Sequence, residues 1–247
     1  MSNWDAMGVQ FVWFASDARR LQAQDVFSSI FGREADSFQV NRNPTVAAPH
    51  LSAASGVFDG LACQLLVQAS RIDLVVQAHS EEDEGRPPLI GDTTGVVERI
   101  SQQVGVVSDQ LHEVNRLALV LNLIKPADSH RHANQLIAPK FDLSLRDFDV
   151  TDLSFQLNVR KKLASEITLN RLLKFGVASF QSLMIDATSQ VISSGSVNNF
   201  GASLSVDVNT VPMFPPITPS AQHQLWQEIA SEALSLRASG ELKGLWQ

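Results

Sequence analysis

The sequence predicts an α+β fold: mainly antiparallel sheet packed by three or four amphipathic helices. Two observations carry this. Segments that alternate apolar and polar residues at a period of two outnumber segments with a helical period. The strand-like segments also follow one another as hairpins, whereas a doubly wound parallel sheet would alternate single strands with helices.

The first element covers residues 9–14, where Val, Phe and Trp crowd together as in a buried strand. Ser16 then offers an N-cap for a helix over 17–31, with Leu21, Phe27, Ile30 and Phe31 on its apolar side and Gly32 as a left-handed stop. Residues 41–56, rich in Pro and Ala, show no period and read as a long connection or lobe boundary. Residues 61–69 and 72–78 form a hairpin through Ser70-Arg71, with Ile72, Leu74, Val76 and Ala78 on one face and Asp73 and Gln77 on the other. Glu81, Glu82, Asp83 and Glu84, followed by Pro87-Pro88, make an exposed acidic loop.

Val97, Ile100, Val104, Val107 and Leu111 then recur at steps of three and four, one stripe of a helix that Asp92, Thr93 or Thr94 can cap. Residues 117–124 are apolar on both faces, as in a central strand, with Pro126 as its end. A short helix fits 129–137. Leu153, Phe155, Leu157 and Val159 alternate with Ser154, Gln156, Asn158 and Arg160, a half-exposed strand. Residues 167–185 fit either a helix or a strand; the short Ala164-Ser165-Glu166 connection favours a hairpin, in which Arg171 and Leu172 break the alternation. Residues 202–208 are another strand. Pro212, Pro215, Pro216 and Pro219 form a stiff bridge to a last helix, capped by Ser220, carrying Leu225, Ile229, Ala233 and Leu236, and stopped at Gly240.

Two organisations fit this order: an acidic lobe over 1–126 and a strand-rich lobe over 127–247, the two similar in plan, or one body. The length of 247 residues suits either, at about 150 residues per domain. The net charge of −7 is unevenly spread, −8 over residues 1–115, +4 over 116–174 and −3 over 175–247, which bears on how the protein meets charged partners or a second copy of itself.

Composition excludes several classes. With 44% hydrophobic residues the chain has ample material for a core, so disorder is not its dominant state. One cysteine rules out a disulfide framework and any zinc site built on cysteines. No run approaches the ~18 consecutive apolar residues of a membrane span, and no basic, then apolar, leader is visible at the start; the expected compartment is the cytoplasm.

Motifs that announce chemistry are missing. There is no G-x-G-x-x-G, no P-loop, no H-E-x-x-H and no G-x-S-x-G. Three weaker features stand out. His130 and His132, beside Asp128, would share a metal only on a strand, where an i, i+2 pair projects to one face; a solvated loop is the plainer reading. Cys63 sits at strand spacing with Leu65 and Val67, as a small apolar filler would. Arg160, Lys161, Lys162, Arg171 and Lys174 make the densest basic patch, suited to an anion or to guarding a strand edge. Trp4 and Trp246, near the two ends, are expected to dock.

No cofactor and no membrane are called for. The favoured function is that of a non-catalytic interaction or scaffold protein that self-associates, with a protein or a second copy of itself as partner. The alternatives are an enzyme with its site between the lobes, drawing on His130, His132 or the acidic loop, and a phosphate- or nucleic-acid-binding module using the 160–174 patch.

Overall fold

The computed structural model describes residues 4–79, 87–145, 150–185, 192–239 and 242. The acidic loop, the Gly240 stop and Trp246 lie outside the described residues.

The first strand, β1 (Asp5–Ala15), buries Val9, Phe11 and Trp13 on one face. The helix expected over 17–31 is broken in two. A 3-10 turn (Ala18–Arg20) ends at Leu21, which is extended, and α1 (Ala23–Phe31) starts afresh. Ser16 is no cap: its backbone N–H donates to the Glu113 carbonyl. The start of α1 is satisfied from elsewhere, by Ser52 Oγ accepting from Ala23 N at 2.9 Å. Gly32 closes α1 in the left-handed conformation, φ 66°, as expected.

The stretch read as a connection contains most of a strand. β2 (Ser37–Val40) pairs with β3 (His50–Phe58), and β3 with β4 (Leu61–Gln68). In the run Ser52-Ala53-Ala54-Ser55-Gly56, Ser52, Ala54 and Gly56 are small because α1 lies over their face. A Cβ on Gly56 would stand 3.2 Å from Phe27 Cζ and 2.9 Å from Asp36 Oδ2. Small side chains carry no alternating hydrophobic signal, so the pattern was silent. The hairpin of β4 with β5 (Arg71–Ala78) is present as expected.

α2 (Thr93–Gln103) and its short continuation α3 (Gly105–Ser108) carry Val97, Ile100 and Val107 of the expected stripe; Val104 lies at their junction and Leu111 beyond the end of α3, and all five are fully buried. Asp92 caps α2, its Oδ1 accepting from Gly95 N at 2.9 Å. β6 (Val114–Ala127) runs past Pro126, which pairs with Gly201. The proline is tolerated because β1, the neighbour on the other side, has its last register pair at Asp5 and Ile124, so β6 is an open edge there. Ser129 caps α4 (His130–Ile137), accepting from His132 N at 3.1 Å.

β7 (Phe155–Lys162) and β8 (Thr168–Ile185) form a hairpin, so the ambiguous segment is strand. β9 (Ile192–Thr210) returns beside it. The proline bridge runs back along the start of β6, with Met213 N donating to Asn115 O and Ile217 N to Val114 O. α5 (Pro219–Ser239) begins with Pro219 in its first turn, so Ser220 sits inside the helix and Thr218 precedes it.

All nine strands join one antiparallel sheet in the order β2-β3-β4-β5-β1-β6-β9-β8-β7. The sheet is therefore larger than the seven strands expected. The order repeats one plan: a strand, a helix, a meander whose last strand pairs back with the first, and a helix. β1 closes on β5 and β6 on β9, and β1 and β6 lie side by side at the centre.

The helices pack on one face. Trp226 of α5 stands edge-on to Phe11 at 5.5 Å and to Trp13 at 5.0 Å. Phe141, just after α4, stacks on Phe155 at 3.9 Å and meets Phe175 edge-on at 5.4 Å. The register puts all four of these strand residues, with Gly56 under α1, on the same side. Trp4 docks there too, buried against Phe175 with its carbonyl accepting from Arg237. Among the described residues no helix covers the other face, and no helix is long and apolar enough to cross a membrane.

Candidate functional site

The five basic residues of the 160–174 patch do not share a surface, because neighbours along a strand point to opposite faces. Lys161 and Arg171 point to the helix side. Lys161 Nζ lies 2.7 Å from Glu232 Oε2 on α5, and Arg171 Nη1 2.8 Å from Oε1. Arg171 Nε also donates to the Val159 carbonyl. Burial alone would raise the Glu232 pKa, but hydrogen bonds from Lys161 and Arg171, and their charges, outweigh it and hold the carboxyl below its ordinary value. Arg171 thus breaks the apolar alternation of β8 because a carboxylate awaits it.

Arg160, Lys162 and Lys174 lie on the open face. Arg160 Nε donates to Asn170 Oδ1, Asn170 Nδ2 to Asn209 Oδ1, and Asn209 Nδ2 to Asp207 Oδ1, a chain of hydrogen bonds across three strands. Lys162 pairs with Glu166 at the hairpin turn. Lys174 is exposed and has no partner among the described residues.

The histidines part company. On a helix an i, i+2 pair diverges: the His130 ring lies 4.4 Å from that of Phe200, while His132 Nδ1 accepts from Asp128 N at 3.3 Å. Among the described residues no three His, Cys, Asp or Glu gather as a metal site. Cys63 is buried, its thiol 3.8 Å from the Leu61 carbonyl, and burial pushes its pKa up to about 12, against a smaller lowering by Arg99. It stays a neutral thiol, a filler and not a nucleophile.

Two concavities are of note, the first on the open face and the second beside α2 on the helix-bearing side. One, of about 390 Å³, lies over β6, β9 and β8 and is lined by Asn122, Lys174, Ser203 and Ser205, with Asp152 and Ser154 at its side. Lys174, Ser205, Asn122 and Gly8 stand in register across four strands, so its floor is a single row of the sheet. Ser203 Oγ donates to the Gly176 carbonyl at 2.9 Å. The second, of about 560 Å³, lies at the start of α2, and its charges are spent internally: Arg99 Nη1 pairs with Asp59 Oδ2 at 2.8 Å, and Asp92 caps the helix.

Elsewhere on the open face Phe14 is held between two guanidinium groups, Arg71 at 5.2 Å and Arg116 at 5.1 Å from its centroid. Asp73, assigned to the wet face, is on that face yet buried. It accepts from Gln10, Gln68 and Arg71. Sequence reasoning missed the cleft because its residues come from distant strands; the one local trace is Ser203 and Ser205 alternating along β9.

No protein-family model, curated protein or solved structure matches this chain.

Proposed function

We propose that this is a non-catalytic interaction protein that self-associates by pairing the β2 strands of two copies. The observation that carries the proposal is the contrast between the two edges of the sheet. β7 carries Arg160, Lys161 and Lys162, charges of the kind that discourage a further strand. β2 is uncharged, its outer backbone groups have no partner among the described residues, and Phe38 and Val40 are 39% and 55% exposed.

An antiparallel pair of β2 strands centred on Gln39 sets Phe38 of each copy opposite Val40 of the other. All four side chains fall on one side, a self-complementary cluster of the kind a twofold contact requires. Burial of large apolar side chains contributes about 1.5–3 kcal/mol each, set against an association cost of roughly 4–15 kcal/mol.

Light scattering on the eluting full chain tests this. The unaltered protein should run as a dimer at tens of micromolar, and Val40→Lys as a monomer with the same circular dichroism. A monomeric unaltered protein, or a V40K variant still dimeric, overturns the proposal.

A further inference from the structure

We infer that the cleft over β6, β9 and β8 binds a small zwitterion, a molecule carrying both an ammonium and a carboxylate group. Lys174 and Asp152 line the same cleft with opposite charges, yet neither pairs with the other or with any described residue. Arg160, Lys161, Lys162 and Arg171 all have partners of their own, and so do Asp59, Asp73, Asp92 and Asp207 around the sheet.

Beside these two charges the floor offers neutral donors and acceptors. Asn122 supplies an amide, and Ser205, Ser203 and Ser154 supply hydroxyls. Small serines beside Gly176 leave the depression open, whereas the long side chains of Gln10, Arg71 and Arg116 fill the corresponding rows nearer the other end of the open face. A lysine ammonium is a point charge that suits a carboxylate. A carboxylate at the side of the same cleft repels a plain dianion and selects a ligand that brings a positive charge. Met7 and Leu153 add apolar wall. The volume, about 390 Å³, falls toward the small end of ligand sites, about 300–1,000 Å³. A free amino acid, or the end of a very short peptide, has this size and charge pattern.

Leucine, N-acetylleucine and leucinamide, titrated into the full chain and followed by calorimetry and by amide shifts in nuclear magnetic resonance, test the inference. Leucine should bind saturably, moving the signals of Asn122 and Ser205. The acetylated probe lacks the ammonium and the amide lacks the carboxylate, so each should bind at least tenfold more weakly. Lys174→Gln and Asp152→Asn should each cost leucine at least tenfold; both positions are exposed, and unchanged circular dichroism and oligomeric state confirm intact protein. Absence of leucine binding overturns the inference. So does equal binding of leucine and N-acetylleucine together with an unaffected D152N variant, which would mark a plain anion site.

Discussion

The carboxylate of Glu232 on α5 accepts from the guanidinium of Arg171 on β8 at 2.8 Å, and joins the end of the sheet to the longest helix. Arg171 is 3% exposed, so its charge has no recourse to water. Lys161 completes the triad from the edge strand at 2.7 Å. Removing one partner of a buried pair leaves the other uncompensated, which costs about 3–5 kcal/mol. Glu232→Gln is therefore expected to lose stability of this order in urea unfolding, and Lys161→Met about 1 kcal/mol, since Lys161 is partly in solvent.

The same triad sets an acid limit. Glu232 titrates lower in the folded chain than its ordinary 4.5. A depressed carboxyl contributes stability that is present above the unfolded-state value and is lost as pH falls through the folded one. Unfolding free energy should decline from just above pH 4.5 downward, and E232Q should show a shallower decline over that window. Equal slopes for the two proteins would remove Glu232 from the cause.

Trp226 is the keystone of the helix layer, edge-on to both Phe11 and Trp13 and fully buried. Trp226→Ala is expected to cost about 3–5 kcal/mol and to release the near-ultraviolet dichroism of the aromatic cluster. Trp226→Phe should recover part of both.

Ser52→Ala tests a contact that spans the chain. The hydroxyl accepts from Ala23 N at the buried start of α1, where no side chain of the local sequence does so. The loss should be about 1–2 kcal/mol, seen as a lower urea midpoint with unchanged helix content.

Cys63 should be inert in the native protein. With its pKa pushed up to about 12, almost no thiolate forms at pH 8. Modification by a disulfide reagent should proceed only at the rate of opening or unfolding, and then completely in denaturant. Rapid stoichiometric reaction in native buffer would contradict the burial of this side chain.

These contacts also separate what the chain announces locally from what it does not. The stripe from Val97 to Leu111 was legible because large apolar residues recur at the helical period, and all five are buried as that period requires. The strand from Leu153 onward was legible through alternation, and half-burial follows it residue by residue along β7. β3 was not, since its Ser, Ala and Gly are small to admit α1 and so carry no pattern. The break in the first helix was hidden because its cap, Ser52, lies 29 residues away. Arg171 looked misplaced only because Glu232 is invisible from β8. For the cleft, each strand supplies one or two ordinary residues, and the site exists only once Lys174, Ser205 and Asn122 come into register.

The central seam, where β1 meets β6, has a consequence for a chain made from its first residue onward. Residues through β5 can close a five-stranded half sheet while the ribosome is still adding the remainder. Until Val114–Ala127 emerges, the far side of β1 is raw backbone beside Val9, Phe11 and Trp13. A polypeptide cut short before Val114 keeps that raw flank for good, and two such fragments would satisfy it by gripping each other. A chain that ends before Val114 is therefore expected to self-associate through β1, and one that includes β6 is not.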